Sequence, residues 1–109
     1  MLKIAKFGGS SCASGEQFRK VKEIVMEDRE RHYIVVSAPG KRDGKDTKVT
    51  DLFISLYEAV QKKKGIEEIV AKIKRRYQEI IKGLSLSISL EEDFSEIVRR
   101  LMAGDSLDY

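Results

Sequence analysis

The sequence predicts an α/β fold that opens with a βαβ unit, and three observations carry that reading. Tyr33-Ile34-Val35-Val36-Ser37 is a β-branched run apolar at consecutive positions, the pattern of a parallel-sheet strand covered on both faces. A shorter apolar segment over 2–7 precedes it and stops at two adjacent glycines, Gly8 and Gly9. Between the two, Phe18, Val21, Ile24 and Val25 recur at the spacing of a helix. Strand, helix and strand in that order form a βαβ unit with a right-handed crossover. Both strands then end at one carboxyl edge, where open α/β sheets bind ligands, so Gly8 and Ser37 face the same crevice.

Taken in order, the first strand points Leu2, Ile4 and Phe7 inward. Ser14-Gly15-Glu16-Gln17 has the form of a capping box, with Ser14 as N-cap of a helix that runs to about Arg31. After the second strand, Ala38-Pro39-Gly40 breaks the chain, and the charged residues 41–48 predict a mobile loop. Such a loop is either a solvated connector or a cover for the crevice. Thr50 caps a second helix carrying Leu52, Phe53, Leu56, Tyr57 and Val60. Lys62, Lys63 and Lys64 complement its dipole, which explains them better than a nucleic-acid patch, and Gly65 supplies a left-handed cap. A third helix spans about 66–82, with Ile66, Ile69, Val70, Ile73, Tyr77, Ile80 and Ile81 on one stripe and Lys72, Lys74, Arg75 and Arg76 mostly opposite. Residues 84–90 alternate Leu/Ile with Ser and read as an extended approach to a fourth helix at about 90–103, with Ser89 and Glu92 as a second capping box. Residues 105–109 have no assignment.

Composition bounds the function. The 109 residues fit one small domain or part of a larger one, and can bury roughly two-thirds of the unfolded surface. The net charge of +3 comes from 21 basic and 18 acidic residues that are interspersed, which is no footprint for nucleic acid or membrane. One cysteine, Cys12, permits no internal disulfide and fits a reducing compartment. With no signal peptide and no apolar run near ~18 residues, a cytoplasmic protein is expected. Two strands do not make a stable sheet, so the remaining strands are expected beyond residue 109.

The chemistry concentrates at Lys6-Phe7-Gly8-Gly9-Ser10-Ser11. A cation, two glycines and two hydroxyls at a strand-to-helix turn suit a phosphate, because glycines free the backbone to aim consecutive N–H groups into one concavity. A plain strand-ending Gly-Gly turn remains the alternative. There is no GxxxxGK[ST] and no GxGxxG. The lone His32 lies at the wrong end of its strand for this edge, and one Cys with one His builds no zinc site, so no protein metal site is expected. Cys12 lacks a nearby base and reads as a packed residue. Lys6, Gly8, Gly9, Ser10 and Ser11, with Ser37, Gly40 and Thr50 across the crevice, contain no nucleophile. Phosphoryl transfer needs neither a strong nucleophile nor a strong base, since positioning and charge neutralisation do most of the work.

Lys6-Phe7-Gly8-Gly9-Ser10-Ser11, then Val35-Val36-Ser37-Ala38, then Thr50-Asp51-Leu52, in that order, resemble the aspartate kinases of the amino-acid kinase family. The resemblance covers the whole chain, with its motifs in the first 52 residues. It implies that residues 1–109 are the N-terminal part of a catalytic domain with a three-layer α/β/α (carbamate kinase-like) fold. The implied activity is ATP-dependent phosphorylation of the L-aspartate side-chain carboxylate to 4-phospho-L-aspartate, towards lysine, threonine and methionine. By matching position, Lys6 stabilises the transferring phosphoryl group, Gly8, Gly9, Ser10 and Ser11 bind phosphate, and Ser37 and Thr50 hold aspartate. The run Asp43 to Lys48 lengthens the loop before Thr50 relative to the family. The implied ligands are ATP, L-aspartate and Mg²⁺ carried by the nucleotide phosphates, and the full-length enzyme is expected to be a homo-oligomer. The family's S-x-G-E segment, which follows a stretch like Gly104 to Tyr109, its later Gly-Gly-Ser-Asp segment and its regulatory ACT domains are absent. These residues alone are therefore expected to be inactive. Another amino-acid kinase, or a non-catalytic interaction module, are the alternatives.

Overall fold

The computed structural model describes residues 2–104. Its elements are β1 (Lys3–Phe7), a 3₁₀ turn (Gly9–Cys12), α1 (Gly15–Glu27), β2 (Arg31–Val36), α2 (Val49–Lys62), α3 (Ile66–Gly83) and α4 (Glu91–Met102). The predicted βαβ unit followed by three helices is present. β1 and β2 pair in parallel, with Lys6 opposite Val35 and Phe7 opposite Val36, and a register shift between Lys3 and Ile4. The stretch from Asp105 to Tyr109 lies outside the described residues.

Two small cores support this arrangement. Phe7, Cys12 and Val21 join β1, the 3₁₀ turn and α1. Leu52, Leu56, Ile73, Phe94 and Leu101 join the last three helices, and the Tyr77 and Phe94 rings meet at 5.7 Å between centroids. α1 packs on α3 where Gly15 meets Gly83, and Arg19 donates to the Gly83 carbonyl.

Several local expectations are corrected. Ser14 does cap α1, its hydroxyl accepting from the Gln17 N–H at 3.3 Å, but the helix ends at Glu27. Asp28 stops it, because its carboxylate accepts from the Glu30 N–H and from Lys3 Nζ and so turns the chain into β2. α2 begins at Val49 with Lys48 as N-cap and no side-chain cap, so Thr50 lies within the first turn. Lys63, at φ 57°, takes the left-handed position ending α2, while Gly65, at φ 75°, precedes α3. Leu90 is the N-cap of α4, and Ser89 accepts from the Glu91 N–H in place of a capping box.

The sheet departs further. Only Phe7 of β1 is buried, with Ala5 half-buried on the same face, whereas Leu2 and Ile4 are exposed. β2 is not covered on both faces: Tyr33, Val35 and Val36 are 58%, 49% and 53% exposed. Among the described residues the sheet has two strands, and the buried residues of the βαβ unit lie on the α1 side of β1.

Candidate active site

At the carboxyl edge the two strands end level. The Ser37 N–H donates to the Phe7 carbonyl at 3.0 Å, so Gly8 and Ser37 start adjacent turns, as the topology predicts. The turns are bonded to each other as well, since the Gly40 N–H donates to the Gly9 carbonyl at 2.7 Å. The Val49 N–H donates to the Pro39 carbonyl at 2.9 Å, which brings the amino end of α2 to the same place.

These three segments line a cleft of about 500 Å³, within the range of small-molecule sites. Gly9 and Ser10 come from the first turn, Ser37, Ala38, Pro39 and Gly40 from the second, and Lys48, Thr50 and Asp51 from the start of α2. Gly9, Ser10, Ser37 and Thr50 are thus brought together. Lys6, Gly8 and Ser11 do not line the cleft. Lys6 is exposed on the face of β1 opposite Phe7, and it makes no ion pair among the described residues. Lys41, Lys48 and Asp51 are lining residues that the sequence reading passed over. Their signal was position: two lysines flank the charged loop, and Asp51 follows Thr50 at a helix start.

The glycines work differently from the sequence expectation. Gly8 is extended, at φ −76° and ψ 179°, and Gly9 opens the 3₁₀ turn, so neither uses a left-handed conformation. Their smallness is what counts. A Cβ on Gly9 would lie 3.2 Å from Gly40 Cα, and one on Gly40 would lie 2.6 Å from the Gly9 carbonyl carbon. The turns touch backbone to backbone, and Gly8 has open space where a side chain would stand. Cys12 beneath them is fully buried and serves as packing.

Behind the cleft, the 41–48 loop is tied down. Arg42 forks onto both carboxylate oxygens of Asp46, at 2.6 and 3.0 Å, and also reaches Glu79 of α3. The hydrogen bond from Arg42 holds the Asp46 carboxyl well below the usual carboxylate range, against the opposing effect of burial. Arg42 is raised in turn, chiefly by the same bond. Arg76 of α3, placed with the solvent-facing cations by the sequence reading, is 4% exposed. Its signal was its spacing: it falls three residues after Ile73 and four before Ile80, on the apolar stripe.

No protein-family model matches the chain. It is 42% identical over 104 residues to aspartokinase 3 of Bacillus subtilis, a match covering 95% of this chain and 23% of that protein. Its fold superposes on the crystal structure of Clostridium acetobutylicum aspartate kinase with a TM-score of 0.91 and 38% identity, over 97% of this chain and 24% of that one. The structure of E. coli aspartokinase III in complex with aspartate and ADP matches with a TM-score of 0.68 at 20% identity, over 97% of this chain and 24% of that one, a likeness of fold alone. The chain therefore spans about a quarter of the length of the relatives it matches. By sequence and by fold, this chain is an aspartokinase homologue that corresponds to about a quarter of the enzyme.

Proposed function

We propose that these residues form the phosphate- and aspartate-facing wall of an ATP-dependent aspartate kinase, at the N-terminal end of its catalytic domain. The observation that carries the reading is the convergence of Gly9, Ser10, Ser37 and Thr50 on one cleft, in a chain 42% identical to an aspartokinase over 95% of its length. The aspartate and ADP held by the related E. coli enzyme support the ligand class.

In this reading a carboxylate oxygen of aspartate attacks the terminal phosphorus of ATP. The bond to the ADP oxygen breaks, giving 4-phospho-L-aspartate and ADP. Ser37 and Thr50 orient the carboxylate, the Gly9 and Ser10 amides hold phosphate oxygens, Gly8 and Ser11 shape the turn from outside the lining, and Lys6 neutralises charge on the group in flight. Lys6 stands outside the cleft wall, so its long side chain must bend over the strand end to reach. Lys41 and Lys48 add positive charge at the rim. In this reading Mg²⁺ is carried by the nucleotide phosphates. Among the described residues no helix is long and apolar enough to cross a membrane.

Exchanging this chain for the matching segment of the B. subtilis enzyme tests the reading, with aspartyl phosphate trapped by hydroxylamine. The expected result is a working chimera that loses about 10²–10³-fold in kcat on Lys6→Ala, the scale for removing one transition-state contact. The 109-residue chain alone is expected to give no product. A folded chimera without activity, or one indifferent to Lys6, overturns the proposal.

A further inference from the structure

Arg76 does not itself line the cleft, yet its guanidinium bonds to Gly40, which does, and to the backbone just beside the other two lining segments. Nη2 donates to the Gly40 carbonyl at 2.6 Å and to the Ala13 carbonyl at 3.2 Å. Nη1 donates to the Thr47 carbonyl at 2.8 Å and lies 3.3 Å from an Asp46 carboxylate oxygen. Ala13 follows the 3₁₀ turn that carries Gly9 and Ser10. Gly40 closes the turn that begins at Ser37, and Thr47 stands just before Lys48 and the start of α2. One planar group therefore holds the end of the 3₁₀ turn and both flanks of the 41–48 loop, from a helix far along the chain.

We infer that Arg76 is a positioning residue for the cleft: it sets the spacing between the phosphate-side turn, the Ser37–Gly40 turn and the amino end of α2. The functional sense of this rests on the kinase reading above, whereas the geometric claim does not. Two features make the assignment specific to arginine. A guanidinium presents its donors in a fixed plane, so two nitrogens can meet three carbonyls from separate segments at once. A lysine carries a compact ammonium whose three donors share one atom, and it cannot span the same set. A buried charge is also costly unless partnered, and Asp46 supplies the partner while Arg42 steadies Asp46. Among the described residues Arg76 Nε has no hydrogen-bond partner, and the bonds the guanidinium makes are all directed at the loops and Asp46. Reinforcement from Arg42 to Glu79, one turn along α3 from Arg76, ties the 41–48 loop to the helix that carries the clamp.

Amide hydrogen exchange on the 109-residue chain tests this. The reporters are the Gly40 N–H, bonded to the Gly9 carbonyl, and the Val49 N–H, bonded to the Pro39 carbonyl. In the wild-type chain both are expected to be protected and to open as one unit. In Arg76→Lys both should exchange at least about tenfold faster, the effect of losing one or two hydrogen bonds, while Leu56 and Leu101 amides in the helical core keep their protection. Unchanged protection at Gly40 and Val49, or loss shared equally with the helical core, overturns the inference. If Arg76→Lys does not fold, the wild-type measurement still decides: independent opening of Gly40 and Val49, or exchange at unprotected rates, overturns it. Adding Mg-ATP to the wild-type chain judges the other reading separately. Absence of amide shifts at Gly9 and Ser10 would count against a nucleotide site and leave the Arg76 result standing.

Discussion

Gly40→Ala is the substitution that most directly probes how the cleft is built. A Cβ at this position would sit 2.6, 2.8 and 2.9 Å from Gly9 C, Gly9 O and Ser10 N, all of them backbone atoms. No side chain can swing away, so the two turns must separate. Forcing a methyl into such a contact costs about 1–3 kcal/mol. Separation also stretches the 2.7 Å bond from the Gly40 N–H to the Gly9 carbonyl, worth about 1 kcal/mol net. The expected loss is therefore about 2–4 kcal/mol, or a fall in Tm of at least about 8 °C for a domain of this size. Gly44→Ala is the matched control, because Gly44 has no atom within 4 Å of its Cβ position and no left-handed φ. There the shorter list of unfolded conformations should leave stability unchanged or raised by up to about 1 kcal/mol. Urea denaturation of the three chains, followed by circular dichroism, is the assay. A Gly40→Ala chain within about 0.5 kcal/mol of wild type would refute the claim that backbone contact between the turns holds the cleft.

Asp46→Asn tests the loop tether through pH. The Asp46 carboxyl is depressed in the folded chain by its bond from Arg42, against an unfolded value of about 3.9. Its contribution is thus fully present above that value and is lost as acid lowers the pH through the folded pKa. Wild type should exceed Asp46→Asn by about 1–2 kcal/mol at pH 6–7, a figure reduced because the Arg42 side chain is 39% exposed and screened. That margin should begin to shrink below about pH 4, and a margin equal at pH 3 and pH 7 would contradict the assignment. In the helical core, Ile73 is 1% exposed, so Ile73→Val should cost about 0.5–1.5 kcal/mol with an unchanged urea m-value.

Much of the fold was legible because local rules govern it. Ser14 caps α1 as its spacing to Gln17 required, and the apolar stripes of α2 and α3 do meet, together with Phe94 and Leu101 of α4, in one core. The shared carboxyl edge followed from topology, which no βαβ unit escapes. The misses have a common physical origin. The end of α1 moved because a through-space partner intervened, Lys3 at Asp28. β2 is apolar at consecutive positions yet exposed, since a strand's composition reports the cover it requires, and here only the α1 side supplies any. Gly8 and Gly9 were read as conformational glycines, but the demand at Gly9 comes from Gly40, thirty-one positions along the chain and in contact with it.

By itself, then, the sequence determined the element order, the parallel pairing of the two strands, the position of the Lys6–Ser11 turn and the relationship to the aspartokinases. These are properties of short windows and of chain handedness. Tertiary structure alone decided that the cleft lining takes in Lys41, Lys48 and Asp51 and leaves out Lys6, Gly8 and Ser11. It also decided that the 41–48 loop is tethered and that Arg76 is an anchor, where the neighbouring cations Lys72 and Arg75 face water. The physical reason is that a charge is buried only where carbonyls from separate segments converge to receive it. That convergence exists only once the turns, the loop and α3 have been packed together.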